Sequence, residues 1–184
     1  MKLDDDRLIY LDLEFISRKY EEIFETDPNT RFTKQQSGKA EIGALFATAG
    51  VNTQESRSYS LTSRQMLHKL WDELKKRYGK LESFENYQGT QIGWIKGDLT
   101  LGEWSTRGSD EPGYEFYQLI QNDERTAFLT ELGYFSAGFA NIFGASSALK
   151  GNISIPVKCL IRVMWHVEDA RNYVACPYVI IENS

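Results

Sequence analysis

The sequence predicts an α+β fold: an antiparallel sheet of mostly C-terminal hairpins packed by two to three helices. Three observations lead there. Apolar residues recur at helical spacing in 13–24 and 63–78, they alternate with polar ones from 89 to 182, and a long polar stretch at 26–61 interrupts the first regime.

In chain order, "RLIYLDLEFISRKYEEIF" opens as a short apolar strand, Leu8 to Leu11, and then changes period, with Ile16, Tyr20, Ile23 and Phe24 at helical spacing. Asp12 stands at the switch, where a helix N-cap accepts free backbone N–H groups, and Leu11 and Ile16 form a hydrophobic staple. The stretch "TDPNTRFTKQQSGKAEIGALFATAGVNTQESRSYSL" is rich in Thr, Ser, Gln, Asn and Gly, and reads as a long polar loop at 26–61: a mobile linker, in part a strand pair, or a segment that closes over a ligand or orders on a partner. "LTSRQMLHKLWDELKKRYGKL" is the best-signalled helix. Thr62 and Gln65 make a capping box, Leu67, Leu70, Trp71 and Leu74 line one face, and Gly79 closes it. His68 falls on the flank of that face, a boundary position more than a ligand position.

In the second half, "GTQIGWIKGDLTLGEW" reads as a hairpin turning at Gly97, and "GYEFYQLIQNDERTAFLTEL" as a hairpin turning at "NDER". Between them, "STRGSDEPG" is a polar loop. The last hairpin alternates Val157, Cys159, Ile161, Val163 and Trp165 against Lys158, Leu160, Arg162, Met164 and His166. It returns as "YVACPYVIIEN", where Pro177 demands an edge or a bulge. A turn near Ala170 keeps Cys159 and Cys176 apart. Phe135, Phe139, Ile142 and Phe143 in "LGYFSAGFANIFGASSALK" follow helical spacing, so a third helix is expected within 132–149.

The chain of 184 residues, 41% hydrophobic with 10 Phe, 10 Tyr and 4 Trp, suits one domain spanning 1–184. A net charge of −5 gives no global support for nucleic-acid binding. An acidic start, two cysteines and no apolar run of spanning length point to a cytoplasmic protein with no disulfide and no membrane span.

Signatures of zinc, redox, hydrolase and dinucleotide chemistry are absent, so no catalytic residue, metal ligand or cofactor is assigned. Asp12, Glu14, Asp98 and Glu103 are the acids that a metal-dependent phosphoesterase or nuclease, the alternative function, would draw on. Lys158, Arg162 and His166 recur two pleats apart on one face, a row that suits a small anionic ligand, with Arg57, Arg64, Lys34 and Lys39 in or beside the long loop. Phe135, Phe139 and Phe143 are the candidates for contact with a protein partner or a second copy. The expected function is a noncatalytic intracellular binding or interaction module.

Residues 7–76, with "IYLDLEFIS", the insertion "AEIGALFATAGVNTQESRSYSLTS" and "MLHKLWDEL", resemble an uncharacterised group of bacterial domains that open with a Y-L-D strand-to-helix motif. The resemblance implies an accessory module of bacterial defence or mobile elements. It carries no catalytic residues and does not extend to the second half.

Overall fold

The computed structural model describes residues 3–25, 61–81, 89–104, 114–136, 138–167 and 172–183. After a 3₁₀ turn at Asp5–Arg7 the chain forms β1 (Leu8–Leu11) and α1 (Leu13–Phe24). Asp12 makes the switch: its carboxylate accepts the Phe15 N–H at 2.8 Å and satisfies one of the free donors of the first turn. The second helix, α2 (Leu61–Arg77), buries Met66, Leu67, Leu70, Trp71 and Leu74. Lys75, Lys76 and Arg77 fill its last turn, where cations complement the carbonyl end. The expected loop at 26–61 lies outside the described residues apart from the backbone of Leu61, as do the side chain of Thr62 in the capping box and the 105–113 loop.

The strands that follow are β2 (Gln91–Trp104), β3 (Tyr114–Gln121), β4 (Glu124–Phe128), β5 (Ile155–Val167) and β6 (Asn172–Glu182). They run β1-β6-β4-β3-β2-β5, and β5 also pairs with β6, so β2 to β6 close into a five-stranded barrel with β1 beside it. The sheet is mixed, which corrects the antiparallel expectation: β4 runs parallel to β6, Arg125 opposite Asn172 through Phe128 opposite Ala175. One edge of β6 lies on β5, and its other edge is shared between β4 and β1. A barrel architecture does not by itself identify a function, which has to be argued from a site.

Gly97 is a second correction. It is no turn but the midpoint of one long strand whose first half pairs with β5 and whose second half pairs with β3. A Cβ at Gly97 would stand 2.4 Å from the Ile120 carbonyl oxygen, so glycine is needed for close approach of the two backbones. The next hairpin is as expected, β3 and β4 meeting through Asn122 at φ 53° and Asp123.

The helix expected within 132–149 is a third correction. The glycines of this segment break it into 3₁₀ turns at Leu132–Tyr134 and Phe139–Gly144 and a single-turn helix, α3 (Ser147–Lys150), instead of one amphipathic helix. It packs against the barrel: Phe135 is fully buried with its ring 4.8 Å from Tyr10 and 4.6 Å from Tyr117, and Phe139 and Phe143 are half-buried against the same core. Tyr117 donates its hydroxyl hydrogen to the Phe139 carbonyl, and Lys150 reaches Glu115 of β3 and the Phe143 carbonyl.

Two apolar layers result. Ile95, Leu99, Tyr117, Leu119, Val157, Cys159, Ile161, Val163 and Ile180 fill the barrel. Outside it, α1 and α2 cover Leu8, Leu11, Trp94, Leu160, Val179 and Ile181. Pro177 sits at the expected bulge, where Leu160 pairs with Val179 but Ile161 with Pro177, leaving Tyr178 as the extra residue. Both cysteines are free.

Candidate functional site

Lys158 and Arg162 stand on the outer side of β5, since Val157, Cys159, Ile161 and Val163 take the barrel side. Leu160, between them, is fully buried in the layer that α2 covers, so the row is split into two environments. The alternation then slips: Val163 pairs with Ala175 but Trp165 with Val174, making Met164 an extra residue and leaving Trp165 47% exposed. That corrects the expected place of Trp165 on one face with Val157, Cys159, Ile161 and Val163, which are buried. The backbone of His166 pairs with Tyr173, and its side chain lies outside those described.

At the first environment, the closing of the barrel sets Lys158 directly opposite Lys96 of β2. The Lys158 ammonium lies 4.7 Å from the centroid of the Trp94 ring, and Lys75 of α2 lies 5.6 Å from that of Trp71. The two indoles meet edge to face at 5.4 Å, and Trp94 Nε1 donates to the Leu74 carbonyl at 3.3 Å, which fixes both rings as a floor. Partial burial pushes the Lys158 amine below the usual lysine range, and the charges of Lys96 and Lys75 add to the effect. Lys75 has a carboxylate partner, Asp72 at 2.6 Å; neither Lys96 nor Lys158 has one among the described residues.

At the second environment, Arg162 lies opposite Ile92 on β2 and Cys176 on β6 and hydrogen-bonds the Tyr178 hydroxyl, while its buried Nε has no partner among the described residues. Arg64 of α2 likewise has a buried Nε with no partner there. The remaining basic candidates, Arg57, Lys34 and Lys39, fall outside the described residues.

The acids are dispersed. Asp12 caps α1, Glu14 belongs to the first turn of that helix, and Asp98 and Glu103 are exposed on β2. Among the described residues, no group of three or more His, Cys, Asp or Glu side chains is placed to hold a metal ion. His68 contacts Asp5 at 2.8 Å. No helix among the described residues is long and apolar enough to cross a membrane.

Lys75, Lys96 and the two tryptophans were absent from the expected site. Their own residue types were visible, but only the pairing of β2 with β5 and the packing of α2 bring them to Lys158. Comparison with protein-family models, with curated proteins and with solved structures gives no match.

Proposed function

We propose that this chain is a noncatalytic binding module whose ligand is a small anion, phosphate-bearing or polycarboxylate, seated on Lys75, Lys96 and Lys158. The observation that carries the reading is the cross-strand pair of Lys96 and Lys158. Like charges directly opposite on a sheet are destabilising, and here neither is neutralised by a carboxylate among the described residues. An anion bridging the two ammonium groups would turn that repulsion into charge-assisted hydrogen bonding. Trp71 and Trp94 are both 4% exposed, so they support the lysines from below and offer no free face for stacking a nucleobase. Recognition at this place is therefore by charge.

Titration with inorganic pyrophosphate, followed by calorimetry and by the lysine side-chain NMR signals, tests the reading. Saturable, salt-sensitive binding that perturbs Lys96 and Lys158, and is lost in the K96Q/K158Q double variant, is expected. Absence of saturation, or equal binding by the double variant, overturns it.

A further inference from the structure

Lys158 differs from the chain's surface lysines in its setting. Its stem lies in the sheet next to Ile181 of β6, its amine rests over the Trp94 ring, and cations face it from two other elements, Lys96 of β2 and Lys75 of α2 with its partner Asp72. The half-buried amine faces no carboxylate of its own among the described residues. An amine so placed is poorly solvated as an ammonium, and adjacent positive charges favour its neutral, nucleophilic form. The neighbouring cations serve a second purpose, since they attract an anionic reactant to the same place.

We propose that the Lys158 amine condenses with aldehydes that carry a phosphate, the phosphate being held by Lys96 and Lys75 while the nitrogen attacks the carbonyl carbon. The proposal rests on the anion-binding reading and adds a covalent step to it. The neutral amine forms the nitrogen–carbon bond to give a carbinolamine, and both of its protons then leave with the former carbonyl oxygen as water while the nitrogen–carbon double bond forms. The product is an imine, with no change of oxidation state and no further reactant. Hydrolysis reverses the reaction, so the modification is a reversible capture. Burial foremost, then the charges of Lys96 and Lys75, lowers the proton affinity of the Lys158 amine relative to an ordinary lysine.

Pyridoxal 5′-phosphate is a suitable probe, trapped with borohydride on the full chain at neutral pH and located by peptide mass mapping. Expected are labelling of Lys158 several-fold above that of Lys19, Lys69 and Lys76, protection by pyrophosphate, weaker labelling by pyridoxal lacking the phosphate, and loss of the label in folded K158R. Even labelling across the lysines, with pyrophosphate still binding, overturns the condensation while the anion site stands. Selective labelling without pyrophosphate protection overturns the phosphate seat and the proposal with it. Failure of both binding and selectivity overturns both readings.

Discussion

Lys96 stands opposite a like charge, Lys158, which is unfavourable for stability and is the ground on which the anion site is proposed. Replacing it with Glu sets an opposite charge against Lys158, and a favourable cross-strand pair in place of a repulsive one stabilises by about 0.2–1 kcal/mol. Lys96→Glu is therefore expected to raise the melting temperature in ligand-free buffer and to abolish pyrophosphate binding. A lowered melting temperature would contradict the repulsion from which the site is inferred. Asp12 presents the opposite balance. Its carboxyl caps α1, yet burial foremost, helped by the charge of Glu14, raises its pKa above the ordinary 3.8. The folded state thus holds this proton to a higher pH than the unfolded state, and the contribution of Asp12 to stability falls as pH rises through that window. Asp12→Asn keeps the cap acceptor without the charge, so its stability relative to the parent should increase from pH 3 to neutrality. Asp12→Ala should lose about 1 kcal/mol through the missing cap. Thermal melts of the three proteins across pH check both.

At the scale of elements, Gly97 and the 132–150 segment are where local signals misled and tertiary structure decided. A Gly between two apolar runs resembles a turn, but whether a strand bends or reverses there depends on β3, whose Ile120 carbonyl occupies the space a side chain would take. Gly97→Ala should cost about 1–3 kcal/mol by overpacking, and a melt equal to the parent's would restore the turn reading. The spacing of Phe135, Phe139 and Phe143 resembles a helix, but glycines and the contour of the barrel end favour short 3₁₀ turns. Phe135→Ala should cost about 3–5 kcal/mol because the ring is fully enclosed by Tyr10 and Tyr117. Tyr117→Phe should cost about 1 kcal/mol for the hydrogen bond to the Phe139 carbonyl. What the sequence made legible was local: the Asp12 cap, both main helices, the β3–β4 turn and the bulge at Pro177. The outward placement of Lys158 and Arg162 was legible through strand alternation, whereas Lys96 and Lys75 come to Lys158 only through contacts between distant segments.

For the whole molecule, barrel closure joins layers that no single hairpin could bury. Cys159 reports on that closure: it is fully buried, burial drives its thiol pKa far above the usual range, and it opposes Ile180 across the β5–β6 seam. Its modification by a thiol reagent should require global opening, with a free energy equal to that from denaturant unfolding, while half-buried Cys176 reacts sooner. Rapid labelling of Cys159 under native conditions would show that the barrel opens locally at this seam.

The shared edge of β6 also bears on how the chain is made. During synthesis β1 and β4 leave the ribosome before β6, the strand to which both hydrogen-bond, exists. Until then β2 and β5 can pair but the wall stays open, with Leu8, Leu11 and Phe128 lacking the strand that encloses them. The nascent chain therefore emerges with unpaired strand edges and unburied apolar side chains, the condition in which chains associate with one another or are held by chaperones. Closure of the barrel therefore waits on β6, the last of the described strands in chain order.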